Sequence, residues 1–227
     1  GTGTIFDTCI SKSDYNGLVN DFGGGGQLTL TSCEAYSTVK DPSFPSNGSG
    51  IAFWFGDGPV RVSNCVSYFA ERYGLVSDAS CTGLYGKMEI YASQETGAVI
   101  SGSHVGLDLY VVSAGQASAN TYNAVELNSN SSAISNTYIE LATYGTQHKY
   151  GVYALGTNQI KAAILAKGSI TGSTGSVYNL LSAGHYLAVQ GTDFNRWGFG
   201  VTDPGFDVEI SGNTKSYLVD VVGDSSG

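Results

Sequence analysis

Cleaving a glycosidic bond takes two carboxylates, about 5–5.5 Å apart to retain configuration or about 6.5–9.5 Å apart to invert it. Asp78 and Glu126 are the acids of this chain best arranged for that work. Glu126 lies between Val125 and Leu127, and apolar neighbours favour the protonated form a general acid needs. Asp78, beside Ser77 and near Ser80, suits an ionised base that activates water. Sugar rings also need flat apolar platforms with a few placed polar groups. Trp54, Tyr153 and Tyr178 offer such platforms, and Tyr122 stands with Tyr15, Tyr73 and Tyr150 just ahead of the same segments. Asp108 and Glu140 line a further face. Each acid taken alone reads as a solvated side chain, and aromatics also stack in β proteins for stability. The grouping gains meaning from the strands that carry these residues.

Seven short segments share one pattern: apolar, polar, apolar, two or three small polar residues, then Cys, Thr or Ser. They end at Cys9, Cys33, Cys65, Ser103, Thr137, Ser169 and Thr192, with spacings of 24, 32, 38, 34, 32 and 23 residues. A strand-length motif recurring at tens of residues marks a solenoid, and the unequal spacing implies loops of unequal length. A second column interleaves with the first, beginning at Gly17, Ile51, Gly74, Ala124, Gly151 and Val177. Alternate residues of a strand face opposite ways. Leu18, Leu30, Val62, Leu75, Val125, Ile134, Val152 and Val189 are therefore expected inside, while Val19, Val76, Glu126 and Tyr153 form an outward row. Asp78 then falls diagonal to Glu126 on a neighbouring rung, unless residues 83–116 supply an extra coil.

Cys9, Cys33 and Cys65 share one motif position and should stack about 4.8 Å apart, one strand spacing. An inward ladder of small buried side chains is the plainer reading, and a disulfide between neighbours is possible by distance. The chain has no CxxC or Cys/His spacing, which argues against a zinc site, and nothing in it calls for a cofactor.

Composition agrees with a β solenoid. Glycine accounts for 32 residues and proline for 4, and no long stretch follows a helical period. Only 13% of residues are charged. The net charge of −9 argues against nucleic acid, which needs a Lys/Arg footprint. No apolar run approaches the roughly 20 residues that cross a bilayer. Two small basic clusters, Glu71-Arg72-Tyr73 and His148-Lys149-Tyr150, each precede a copy of the second column and are expected on one edge. The chain opens on Gly rather than Met and reads as a fragment or processed product.

Interleaved Gly-Val/Leu strands, Asn/Gly turns and Ile-Ser-Asn strands resemble right-handed parallel β-helix proteins of the pectate-lyase type. Uneven coils, low charge and a Tyr-rich surface look most like bacteriophage tailspikes. The resemblance covers roughly residues 1–195 and carries no catalytic signature. It implies an all-β, right-handed parallel β-helix of about six to eight coils over 1–200, with 201–227 as a C-terminal extension or the start of a further β region. It also implies a homotrimer in the virion tail, outside the cell, that binds and often cleaves a bacterial surface polysaccharide. Two readings stand: a depolymerase (glycosidase ahead of lyase), or a non-catalytic glycan-binding and structural module. A lyase would draw on His148, Lys149, Arg72 and Tyr150.

Overall fold

A computed structural model describes residues 3–12, 15–21, 27–44, 48–55, 59–77, 82–101, 103–113, 121–130, 133–143, 148–166, 174–181, 186–190, 197–199 and 208–210. The chain opens with three short strands, β1 (Thr4–Asp7), β2 (Ile10–Lys12) and β3 (Leu18–Asp21). It repeats them as β4 (Leu28–Thr31), β5 (Glu34–Tyr36) and β6 (Ile51–Phe55). From there the first two faces run together as one long strand per coil. These are β7 (Val60–Tyr68), β9 (Thr82–Ser93), β11 (Ser103–Ser113) and β13 (Ile134–Thr143). Between them come the third-face strands β8 (Leu75–Ser77), β10 (Ala98–Ser101), β12 (Val125–Asn128) and β14 (Tyr150–Gly156). The described strands end with β15 (Ile160–Ala166), β16 (Gly175–Leu181), β17 (Tyr186–Gln190), β18 (Trp197–Phe199) and β19 (Val208–Ile210).

One sheet stacks seven strands, β3 through β16, and the other gathers twelve from the first two faces. Every pairing from β1 to β17 is parallel and joins strands of successive coils, so the chain is an all-β parallel β-solenoid of about five turns, where six to eight were expected. The parallel series ends at β17, where β18 pairs antiparallel with Ala188–Gln190.

The corners explain the small polar residues of the first motif. Thr8, Ser32 and Asn64 each have φ near +50°, and each directly precedes a cysteine of the ladder. A left-handed residue turns the strand out of the first face into the second without leaving the ladder. A second column of such residues, Ser37, Phe69 and Ala92, turns the chain out of the second face.

Glycine marks the entry to the third face. A Cβ on Gly50 would lie 1.9 Å from Ser67 Oγ, and one on Gly74 would lie 2.1 Å from Ile90 Cγ2. Gly97 and Ala124 occupy the equivalent places ahead of β10 and β12.

That signal corrects one expectation. Ala98–Ser103 was expected in the first column, yet β10 pairs with β8 and β12 on the third face. Apolar-polar alternation is the same on both faces, and only the leading glycine separates them. The first-face strand of that coil is β9, whose motif is broken at Gly86. There φ is +125°, and a Cβ would stand 1.8 Å from the Val62 carbonyl oxygen. The copy ending at Ser169, which begins at Ile164, is likewise displaced, since Ile160 is the residue in register with Ile134.

The inward columns follow the expected parity. Leu30, Val62, Leu75, Val125, Ile134 and Val152 are buried, and Leu18 packs partly buried against the same core. The side chain of Val189 lies outside the described residues. Each fully buried aliphatic side chain contributes about 1.5–3 kcal/mol, so one continuous column of them fixes the coil register. Cys33 and Cys65 join this core as free thiols, with Cys9 half-buried at the end of their ladder.

Candidate functional site

Glu126 projects outward from β12, half-buried, between Val99 of β10 and Tyr153 of β14. Burial pushes its carboxyl pKa up, and the Asn123 amide, donating to Oε2 at 3.5 Å, pulls it partly back. Tyr153 leans on Tyr150 with ring centroids 5.9 Å apart, and Tyr178 is its backbone partner on β16. The side chains of Trp54 and Tyr178, and the whole of Asp78, lie outside the described residues. The extra coil does intervene: Val76 pairs with Val99, and Val99 with Glu126. Val76 is therefore two rungs from Glu126, roughly 9.6 Å, rather than one. Ala52 and Val76, outward by parity, are both buried, so this face is covered at the β6 and β8 rungs.

The two basic clusters share one edge, as expected. Backbone hydrogen bonds place Arg72, Glu95, Tyr122 and Lys149 close together along the turns that enter the third face. Glu95 is 3% exposed and pairs with two cations. Lys40 Nζ bonds to its Oε1, and Arg72 Nε lies 3.6 Å from its Oε2. Arg72 also covers the Tyr73 ring at 4.3 Å and reaches its hydroxyl at 3.1 Å. Burial, then the bond that Tyr122 makes to the same Glu95, pushes its phenol up. The tyrosines of this edge, Tyr15, Tyr73, Tyr122 and Tyr150, alternate with other residues and form no continuous ladder among the described residues.

A continuous ladder stands on the second face instead. Tyr36, Tyr68 and Tyr91 stack at 4.9 and 5.1 Å with rings within 10° of parallel. Beside it runs a second outward row in backbone register: Glu34, Val66, Glu89, Tyr110 and Glu140. A third row carries Lys87, Asp108 and Tyr138. Hydroxyls and carboxylates are tied within strands. Tyr36 donates to Glu34, Tyr91 to Glu89 at 2.7 Å and Tyr138 to Glu140 at 3.3 Å.

Glu89 and Glu140 flank Tyr110 one rung to either side, and Asp108 lies diagonal to both, roughly 8 Å away between Cα atoms. All three are half-buried. They spread around the ring and do not converge: among the described residues no three such side chains come close enough to hold a metal ion. A diagonal separation of this size lets two carboxyl groups close to the 5–9.5 Å that glycoside hydrolysis uses.

Of the expected site residues, the described structure places Asp108 in this cluster, Glu126 and Tyr153 together on the third face, and Tyr122 on the edge. Glu89, Tyr91, Tyr110 and Tyr138 went unnoticed in the sequence. Their signal is a repeated acid-x-Tyr pair, Glu34-Ala35-Tyr36 and Glu89-Ile90-Tyr91, with Tyr138-Ile139-Glu140 reversed. Period-2 spacing puts both members on one side of a strand. No family model, curated protein or solved structure matches the chain.

Proposed function

We propose that this solenoid binds and hydrolyses a bacterial surface polysaccharide, capsule or O-antigen, in the manner of a phage tailspike. The observation that carries the reading is the grouping of Glu89, Asp108 and Glu140 around Tyr110, with tyrosine rings on both sides. Asp108 belongs to both diagonal pairs, so either Glu89–Asp108 or Asp108–Glu140 would supply the acid and the base. Tyr110 would seat a sugar ring, and hydroxyls held by carboxylates would bond to ring edges. Glu126, with Tyr153 beside it in register, is the alternative acid on the third face, where burial suits it to protonate a leaving group; Asp78, Trp54, Tyr178 and Tyr122 are the partners expected for it from the sequence.

Elimination is the second reading. A lyase needs a cation to neutralise the uronate carboxylate, and while Arg72 is committed to buried Glu95, Lys87 stands in register with Asp108. The coil hand belongs to the proposal too: parallel crossovers are right-handed in about 98% of cases, so a right-handed β-helix is expected. So do a homotrimer, a place in the virion tail outside the cell, and the absence of nucleic-acid or membrane partners.

Incubating the chain with purified capsular and O-antigen polysaccharides tests the reading. New reducing ends without absorbance from unsaturated sugars support hydrolysis, and unsaturated products would make it a lyase. Binding without either would leave the non-catalytic module, and no binding to any glycan would sink the proposal.

A further inference from the structure

The thiols of Cys9, Cys33 and Cys65 lie on successive rungs, and Cys33 is within thiol hydrogen-bonding reach of both others. Cys33 Sγ donates to the Phe6 carbonyl at 3.4 Å, and Cys65 Sγ to the Leu30 carbonyl at 3.5 Å. Cys33 and Cys65 are fully enclosed, while Cys9 is half-buried. The first rung is also the loosest part of the ladder. All of β1 is exposed, and Phe6 is 41% exposed although its register partner Leu30 is only 4% exposed. Neighbouring Cα atoms one strand spacing apart fall within the 4.4–6.8 Å a disulfide spans, and the small remaining shift is easiest where few contacts resist it.

We propose that Cys9 and Cys33 are an attacking and resolving thiol pair that closes to a disulfide, stapling the first rung to the second. A small-molecule disulfide such as oxidised glutathione is the oxidant. Cys9 thiolate attacks one sulfur of it, forming a Cys9–glutathione mixed disulfide and releasing one glutathione thiolate. Cys33 thiolate then attacks the Cys9 sulfur, forming the Cys9–Cys33 bond and releasing the second glutathione. Two cysteine thiols are oxidised and one glutathione disulfide is reduced to two thiols. Cys65 is excluded as the first attacker by its burial. Desolvation, then the neighbouring Cys33 and Asp7, push the Cys9 thiol pKa up, so closure quickens as pH rises.

The test uses the full chain carrying Cys81→Ser, since Cys81 lies outside the described residues. After incubation with oxidised glutathione, the chain is denatured and alkylated, and its thiols are counted. The expected result is loss of two alkylatable thiols, a Cys9–Cys33 linked peptide, and slower proteolysis near β1, all reversed by dithiothreitol. Cys65→Ser should behave the same way, whereas Cys33→Ser should stop at a glutathione adduct on Cys9. Three alkylatable thiols after oxidation, or a linked Cys33–Cys65 peptide, would overturn the proposal.

Discussion

The rings of Tyr91 and Tyr110 meet edge to face, 5.7 Å apart and at 67°, where the tyrosine column changes rows. Up to Tyr91 the ladder is a stacked pile whose ring faces are largely used by neighbouring rings. At Tyr110 the ring steps sideways into the glutamate row, between Glu89 and Glu140. That step frees an aromatic surface among acids.

The tyrosine–glutamate bonds set an alkaline limit on stability. The hydrogen bond to Glu34, then burial, pushes the Tyr36 phenol up from 10.0 to about 12, and burial followed by Glu89 raises Tyr91 further. Each group is favoured neutral in the folded chain. The stabilisation is therefore complete below about pH 10 and is lost as pH rises through 12. Titration at 295 nm should show late-ionising tyrosines whose ionisation accompanies loss of β circular dichroism. Simultaneous titration of every tyrosine near pH 10, with the fold intact, would contradict this.

At Gly50 and Gly74 the entry to the third face should tolerate nothing larger than glycine. Gly74→Ala would push a methyl to 2.1 Å from Ile90 Cγ2 and 2.8 Å from the Gly97 carbonyl oxygen. A cost of about 1–3 kcal/mol is expected from overpacking, read as a lower urea midpoint at unchanged slope. The same substitution at Gly3, where the nearest heavy atom is 3.4 Å away, should change the midpoint little. Equal effects at both sites would remove the steric explanation.

Glu95 should be the costliest acid on the edge. Its carboxylate serves Lys40, Arg72 and Tyr122 at 3% exposure, and Glu95→Gln would strand two cations with a neutral acceptor. Because Lys40 keeps partial access to water, the loss should be about 2–3 kcal/mol, below the 3–5 typical of a fully buried pair. Chemical denaturation measures it, and a loss under about 0.5 kcal/mol would show that solvent already carries the pair.

The solenoid was legible in the sequence because its parity is rigid. Leu30, Val62, Leu75, Val125, Ile134 and Val152 alternate with polar residues, and alternation fixes which face is inside. Assignment to a particular face was harder. Ala98–Ser101 reads like a first-face strand, and only Gly97 in front of it betrays the third. The candidate site suffered from the same shortfall. Glu126 was recognised as an outward acid between apolar neighbours, but its distance from Asp78 depended on counting coils through residues 83–116. The Glu89–Tyr110–Glu140 row joins residues far apart in sequence, and it becomes visible only once β9, β11 and β13 are set side by side.

The most direct measurement is the rate of reducing-end release from a cleaved surface polysaccharide by Asp108→Asn beside the unaltered chain. Asp108 belongs to both carboxylate pairs, so its loss should lower kcat by about 10²–10⁴-fold with the fold and glycan binding intact. Glu89→Gln and Glu140→Gln should then divide, one matching Asp108→Asn and the other losing far less. Full cleavage by Asp108→Asn would contradict the site, and a matching loss in Glu126→Gln instead would move the chemistry to the third face.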